Sequence, residues 1–167
     1  MTRIAAFLIL MVLCSASFGK VISSDPGEIY KLIGNEEIKS RGVEYDFHVV
    51  STDPSSESWA PMAFVGAIDV DTGAEFQVFI FQKSGGGDLV LGHRYIEGDE
   101  LVFTRTLFHG VPFKLDIKII ISVNEDGLLR VEQPGVGASH EYQTGILNLR
   151  SYIGVVGAKA DFRLEAD

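Results

Sequence analysis

The feature that most constrains this chain is an alternation of apolar and polar side chains with a period of two. Val43, Tyr45, Phe47 and Val49 fall on one face, with Glu44, Asp46 and His48 opposite. Between Phe113 and Val123 the odd positions are all apolar, while the even ones include Lys114, Asp116, Lys118 and Ser122. Successive side chains of a β-strand point to opposite faces of a sheet, so such runs read as half-buried strands. Met62–Val70 is apolar on both faces until Asp69, as a strand covered on two sides would be. No stretch keeps the i, i+3, i+4, i+7 spacing of an amphipathic helix. The one helical turn to expect is Pro26–Ile33, with Asp25 in position to cap it.

Nine strands follow from this reading: Val43–Val50, Met62–Val70, Glu75–Gln82, Leu89–Ile96, Leu101–Phe108, Phe113–Val123, Leu128–Gln133, Ile146–Ile153 and Val155–Leu164. Asp71-Thr72-Gly73, Glu97-Gly98-Asp99 and Asn124-Glu125-Asp126-Gly127 sit between consecutive strands, where a tight connection needs residues that tolerate positive φ. Ser84–Asp88 is a longer connection, and Ser51–Pro61 and Pro134–Gly145 read as two long loops. Strand after strand without crossover helices implies an all-β fold: an antiparallel two-sheet β-sandwich of jelly-roll type. The alternative architecture is a lipocalin-like β-barrel. It lacks a Gly-x-Trp signature in its first strand, and Trp59 stands in a loop segment instead.

Residues 1–19 read differently. Arg3 is their only charge, Ile4–Leu13 carries no polar side chain, and Ser17 and Gly19 flank Phe18. A positive start, a short apolar run and a small-residue exit describe a signal peptide, cut after Gly19 or alternatively after Ala16. A membrane-spanning helix needs about 20 apolar residues, more than this run supplies. Residues 20–167 then form a single secreted or periplasmic domain. Its net charge shifts from −9 to −10 once Arg3 is gone. Cys14, the only cysteine, leaves with the leader, which excludes disulfides, thiol catalysis and cysteine-bound zinc from the mature domain. The acidic balance disfavours nucleic-acid binding, which needs a dense cationic face.

The stretch Val65–Gln82, VGAIDVDTGAEFQVFIFQ, together with Phe113–Val131, FKLDIKIIISVNEDGLLRV, resembles the middle of concanavalin A-like and laminin-G-like sandwiches. The likeness lies in the pattern of a long apolar strand, an Asn/Asp-Gly turn and a short Gly-Leu-Leu-x-Val strand. It implies a fold and, by association, carbohydrate or protein ligands. The Glu-x-Asp-x-x-Glu strand of laminarinase-like glycosidases is absent, as are the Gln-x-His and Tyr-Phe-Lys-Ala-Gly segments of small alginate lyases. No catalytic residue is therefore carried over.

Three constellations carry chemistry. His93, Arg94 and Tyr95, with Arg105 from the next strand, would form a group suited to sugars and carboxylates if a hairpin about Glu97–Asp99 brought them to one face. The plainer reading makes Arg105 an ion-pair partner for Glu75 or Asp99. Asp69 and Asp71, two residues apart before Gly73, offer two oxygen ligands for calcium; as a plain hairpin, Asp71 would bond its own turn. Glu44, Asp46 and His48 share a face about 7 Å apart in succession, as a metal or acid–base group would, or as a solvated face paired with Lys114, Asp116 and Lys118 does. Trp59 in a polar loop is either a recognition aromatic or a lid on one end of the sandwich. His109 and His140 are further loop histidines, and no Gly-x-Ser-x-Gly elbow supplies a hydrolase nucleophile.

The expectation is thus an exported, non-catalytic sandwich that binds a glycan or an extracytoplasmic protein through Trp59, His93, Arg94, Tyr95 and Arg105. Calcium at Asp69 and Asp71 is the one cofactor to consider. A carbohydrate-active enzyme using Glu44, Asp46 and His48, or a barrel carrying an apolar ligand, are the alternatives. An exposed edge strand could pair two copies into a homodimer.

Overall fold

A computed structural model describes residues 18–53, 60–83, 87–98, 100–144 and 148–166. Twelve strands and one short 3-10 turn account for most of them. In chain order they are β1 (Phe18–Ser23), β2 (Ile29–Glu37), β3 (Val43–Thr52), β4 (Met62–Asp69), β5 (Glu75–Gln82) and β6 (Leu89–Glu97). They continue with β7 (Glu100–Val111), β8 (Ile117–Val123), β9 (Leu128–Gln133), β10 (Ala138–Gln143), β11 (Leu149–Val156) and β12 (Ala158–Ala166). They form two antiparallel six-stranded sheets, β1-β12-β3-β8-β9-β10 and β2-β11-β4-β5-β6-β7. Each sheet keeps two edges, so the architecture is the sandwich and the barrel alternative is overturned.

The alternation accounts for the packing. Val43, Tyr45, Phe47 and Val49 of β3 face inward and are buried, as are Ile119, Ile121 and Val123 of β8. Phe47 stacks on Phe162 of β12 at 5.8 Å between ring centroids, and those two residues are direct partners in the strand register. From the second sheet Ala63, Val65, Phe76, Val78, Leu89 and Leu91 meet them in one core. The Tyr45 hydroxyl crosses between the sheets and donates to the Gly66 carbonyl at 2.8 Å. Burying a phenol without a partner would cost more than this bond restores, which fixes the ring in one orientation.

Five segments depart from the sequence reading. Phe18–Ser23, whose first two residues fall within the expected leader, is β1 and pairs with β12. Ile29–Glu37 is a strand rather than a helical turn; Ile29, Lys31 and Ile33 take one face of it and Gly34 removes helix propensity. A turn precedes it, closed by the Glu28 amide on the Asp25 carbonyl. Ala138–Gln143, expected as loop, is β10 and pairs with β9. Phe113–Asp116 belongs to a connection and β8 starts only at Ile117, because Pro112 supplies no amide and Lys114 adopts φ 62°. Phe113 and Leu115 are consequently exposed. Finally, β11 runs through Gly154 to Val156, and the turn falls at Gly157.

Candidate functional site

A two-layer sandwich has two outer faces, and they differ sharply here. On the first sheet, Glu44, Asp46 and His48 lie on the outer face of β3 as the alternation requires. Lys118 pairs with Glu44 and lies 4.0 Å from Asp46, and His48 Nδ1 meets Asp116 Oδ1 at 2.7 Å. The lysine pairs join β3 and β8 across a solvated face, and the His48 pair ties β3 to the connection before β8.

The outer face of the second sheet instead carries a second apolar cluster of Phe64, Ile68, Phe79, Tyr152 and Val156, all buried. Such burial without a third layer follows from glycines. One row across the sheet reads Ile33, Tyr152, Gly66, Gln77, Arg94 and Thr104; the next reads Lys31, Gly154, Phe64, Phe79 and Gly92. A Cβ on Gly66 would stand 2.8 Å from Tyr152 Cε1, and one on Gly92 would stand 2.7 Å from Phe79 Cζ. A Cβ on Gly154 would run into the Phe64 ring. Each aromatic ring thus lies flat over a glycine of the adjoining strand, where any side chain would hold it upright.

Into this apolar floor is set a linked polar group drawn from four strands. Glu75 accepts from Lys31 on one oxygen and, on the other, from Gln77 Nε2 at 2.8 Å and the Tyr152 hydroxyl at 3.0 Å. Gln77 Oε1 in turn accepts from Arg94 Nε at 2.6 Å. The Arg94 guanidinium lies 5.4 Å from the Phe79 ring centre, and Lys31 lies 5.1 Å from that of Tyr152, both cation–π distances. Burial pushes the Arg94 pKa down, while Tyr152 and Glu75 oppose the shift. Burial, and then the neighbouring Glu75 charge, push the Tyr152 phenol well above its ordinary range. Arg150 stands on the same face, opposite Ile68, and its Nε is buried with no hydrogen-bond partner among the described residues. Three cations, Lys31, Arg94 and Arg150, therefore face Glu75 and, opposite Arg150 in the register, Glu37. In a chain of net charge −9 this face is locally basic.

The expected grouping of His93, Arg94, Tyr95 and Arg105 is corrected by the same alternation. His93 and Tyr95 point inward, Arg105 opposes His93 on β7, and Arg94 alone reaches the outer face. His93 is 1% exposed and packs edge-on against Phe76, Phe103, His140 and Tyr142. Its ring nitrogens lie 3.0 Å from the Tyr142 hydroxyl. Tyr95 stacks on Phe103, which stacks on Tyr142. This aromatic cluster closes the gap between β6–β7 and β10, so the histidine is a core residue. Trp59 lies outside the described residues. Asp69 is buried and caps its own turn, accepting from the Asp71 amide at 3.0 Å and the Thr72 hydroxyl at 2.6 Å, with Gly73 at φ 75°. Asp69, not Asp71, thus holds the hairpin. Among the described residues no three His, Cys, Asp or Glu side chains gather as a metal site would require.

The buried His93 makes stability depend on pH. Desolvation first, and then the His140 and Arg105 charges, push its pKa down to about 4. The unfolded chain binds this proton near pH 6.5, so between pH 6.5 and 4 the unfolded state holds more protons and stability falls as pH falls. Going from pH 7 to pH 5 should remove about 2 kcal/mol. Chemical denaturation at the two pH values checks this, and His93→Gln should lose most of the slope. An unchanged slope in the variant would assign the effect elsewhere.

The architecture is that of the jelly-roll β-sandwiches, and no family-specific motif accompanies the likeness. Among solved structures the chain is similar to the carbohydrate binding module CBM66 from Bacillus subtilis, with 9% identity, 94% of this chain and 99% of that chain covered, and a TM-score of 0.54. It is similar to a homodimeric agglutinin from chicken liver, at 13% identity, 83% and 97% coverage and a TM-score of 0.51. It is also similar to an alginate lyase from Pseudomonas aeruginosa, at 14% identity, 78% and 68% coverage and a TM-score of 0.50. No family model and no curated protein matches the chain. No helix among the described residues is long and apolar enough to cross a membrane.

Proposed function

We propose that this protein is an exported, non-catalytic carbohydrate-binding sandwich whose site is the outer face of the second sheet, with acidic sugars as the preferred ligands. One observation carries the reading: the linked group Lys31–Glu75–Gln77–Arg94 is set, partly withdrawn from water, into an apolar sheet face. Charges on a solvated sheet face are ordinarily separate and mobile. Here Arg94 is oriented in advance through its Nε, which leaves its two Nη groups for a planar carboxylate. Tyr152, its pKa raised by burial, donates a hydrogen bond to Glu75, and His93 lies on the other side of the sheet. Two structures of the same fold are, by name, an agglutinin and a carbohydrate binding module, and a third is an alginate lyase.

The test is a calorimetric titration with oligouronates and with neutral oligosaccharides, on the wild type and on Arg94→Gln. An oligouronate should bind, and Arg94→Gln should weaken it by on the order of tenfold to a hundredfold, the loss of a hydrogen bond to a charged group. No affinity for any sugar class, or an Arg94→Gln variant that binds as the wild type does, would sink the reading. Repeating the wild-type titration with calcium and with chelator settles whether the Asp69–Asp71 turn contributes a metal. Export rests on residues 1–19 acting as a cleaved leader, and N-terminal sequencing of protein recovered outside the cytoplasm checks it. A cut after Ala16 leaves β1 whole, whereas a cut after Gly19 removes its first two residues.

A further inference from the structure

A second site lies between the sheets, away from the outer face. A cavity of about 400 Å³ opens where the end of β7 and the following connection meet β8 and β9. Leu91, Val111, Pro112, Leu115 and Ile117 make its wall mostly apolar, and the polar side chains that line it are Gln133, His109, Asp116 and Lys118. Along β9 the inward positions are Leu129, Val131 and Gln133, so the alternation places an amide where a core residue is due. Gln133 is 2% exposed, and neither its Nε2 nor its Oε1 has a hydrogen-bond partner among the described residues. An amide buried without partners costs free energy that an apolar residue of similar size would not. The charges beside the cavity are already engaged, Asp116 with His48 and Lys118 with Glu44. The wall is also fixed, since Lys114 adopts φ 62° and its amide bonds the Val49 carbonyl at 3.0 Å.

We infer that this cavity binds a small, mainly apolar molecule that carries one amide group. The volume falls within the ordinary range of ligand pockets, about 300–1,000 Å³. Gln133 presents one donor and one acceptor side by side. A carboxylate or an ester returns acceptors only and leaves Oε1 unpaired, whereas an amide returns an acceptor and a donor at the matching separation. The apolar walls take the remainder of the molecule. This site shares no residue with the Arg94 face and stands whether or not that face binds sugars.

Benzamide and methyl benzoate are matched probes, of nearly one shape but with and without the donor. Titrated into the full protein and followed by 1H–15N NMR, benzamide should move the Gln133 side-chain NH2 resonances and bind about tenfold more tightly than the ester, the worth of one well-made hydrogen bond to a buried group. In Gln133→Leu that preference should vanish, while toluene binds at least as well as it does to the wild type. Equal binding of the two probes to the wild type would overturn the inference, as would no movement of the Gln133 signals. So would a preference that survives in Gln133→Leu. The wild-type comparison decides alone if the variant fails to fold.

Discussion

Gly66→Ala is expected to lower stability by about 3 kcal/mol, a fall in melting temperature of roughly 10 °C for a chain of this length. Gly66 is squeezed from several sides. Its carbonyl accepts from Tyr45 across the core, and Tyr152 lies over its outer side with ring atoms 2.8 and 2.9 Å from where a Cβ would be. The Phe76 carbonyl of the neighbouring strand lies nearer still. Side-chain repacking relieves the ring contact but not the backbone one, so β4 and β5 must shift together in the middle of the sheet. Displacing Tyr152 also takes a donor from Glu75, so sugar affinity should fall with stability. Gly135→Ala is the control: nothing lies within 4 Å of its Cβ position, and its effect should stay within about 0.5 kcal/mol. A Gly66→Ala protein that melts with the wild type would mean the close approach is not there.

Glu75→Leu should cost about 3 kcal/mol, for a different reason. The leucine itself fits, because Glu75 stands between Ile68 and Ile96 in the register. The cost arises from what is left behind: the Lys31 ammonium without its counter-charge, the Gln77 amide without its acceptor, and a fully buried Tyr152 hydroxyl with nothing to receive its proton. Glu75→Gln, which keeps an acceptor, should lose only about 1 kcal/mol. A double-mutant cycle makes the argument specific. Tyr152→Phe alone removes a satisfied hydrogen bond and destabilises, but in the Glu75→Leu background it removes an orphaned hydroxyl and should be neutral or stabilising. Urea denaturation of the four proteins measures this, and additive effects would show that Tyr152 does not depend on Glu75.

The sheets were legible in the sequence wherever one face is buried and the other wet, because β3, β8 and β9 announce themselves by alternation. The misread segments are those whose pattern is ambiguous. Ile29, Leu32 and Ile33 suit a helical turn as well as a strand with partial cover on both faces. In β10 the inward residues are Ala138, His140 and Tyr142, too polar a set to stand out from a loop, since they close the sandwich against His93 rather than its aliphatic centre. The site was half legible. Arg94 stands out in the sequence, but its neighbours in sequence are not its neighbours in space, since a strand sends His93 and Arg94 to opposite sides. Lys31, Glu75, Gln77 and Tyr152 come from strands brought together only by the sheet order. Two signals could have found them: glycines inside the apolar strands at 66, 92 and 154, which mark close approach, and two polar residues, Glu75 and Gln77, on one face at the start of β5, ahead of the apolar run Val78–Phe81.

The strand order also dictates when this chain can fold. β11 joins β2 to β4, and β12 joins β1 to β3, so the last two strands to be synthesised are the ones that hold the first two in place. Without residues 149–166 both sheets come apart at an interior seam, and their contacts span nearly the whole chain. Pairings of such sequence separation form slowly and late. The hairpins β4-β5-β6-β7 and β8-β9-β10 can therefore pair early, while β1 and β2 stay undocked until β12 and β11 are available to hold them.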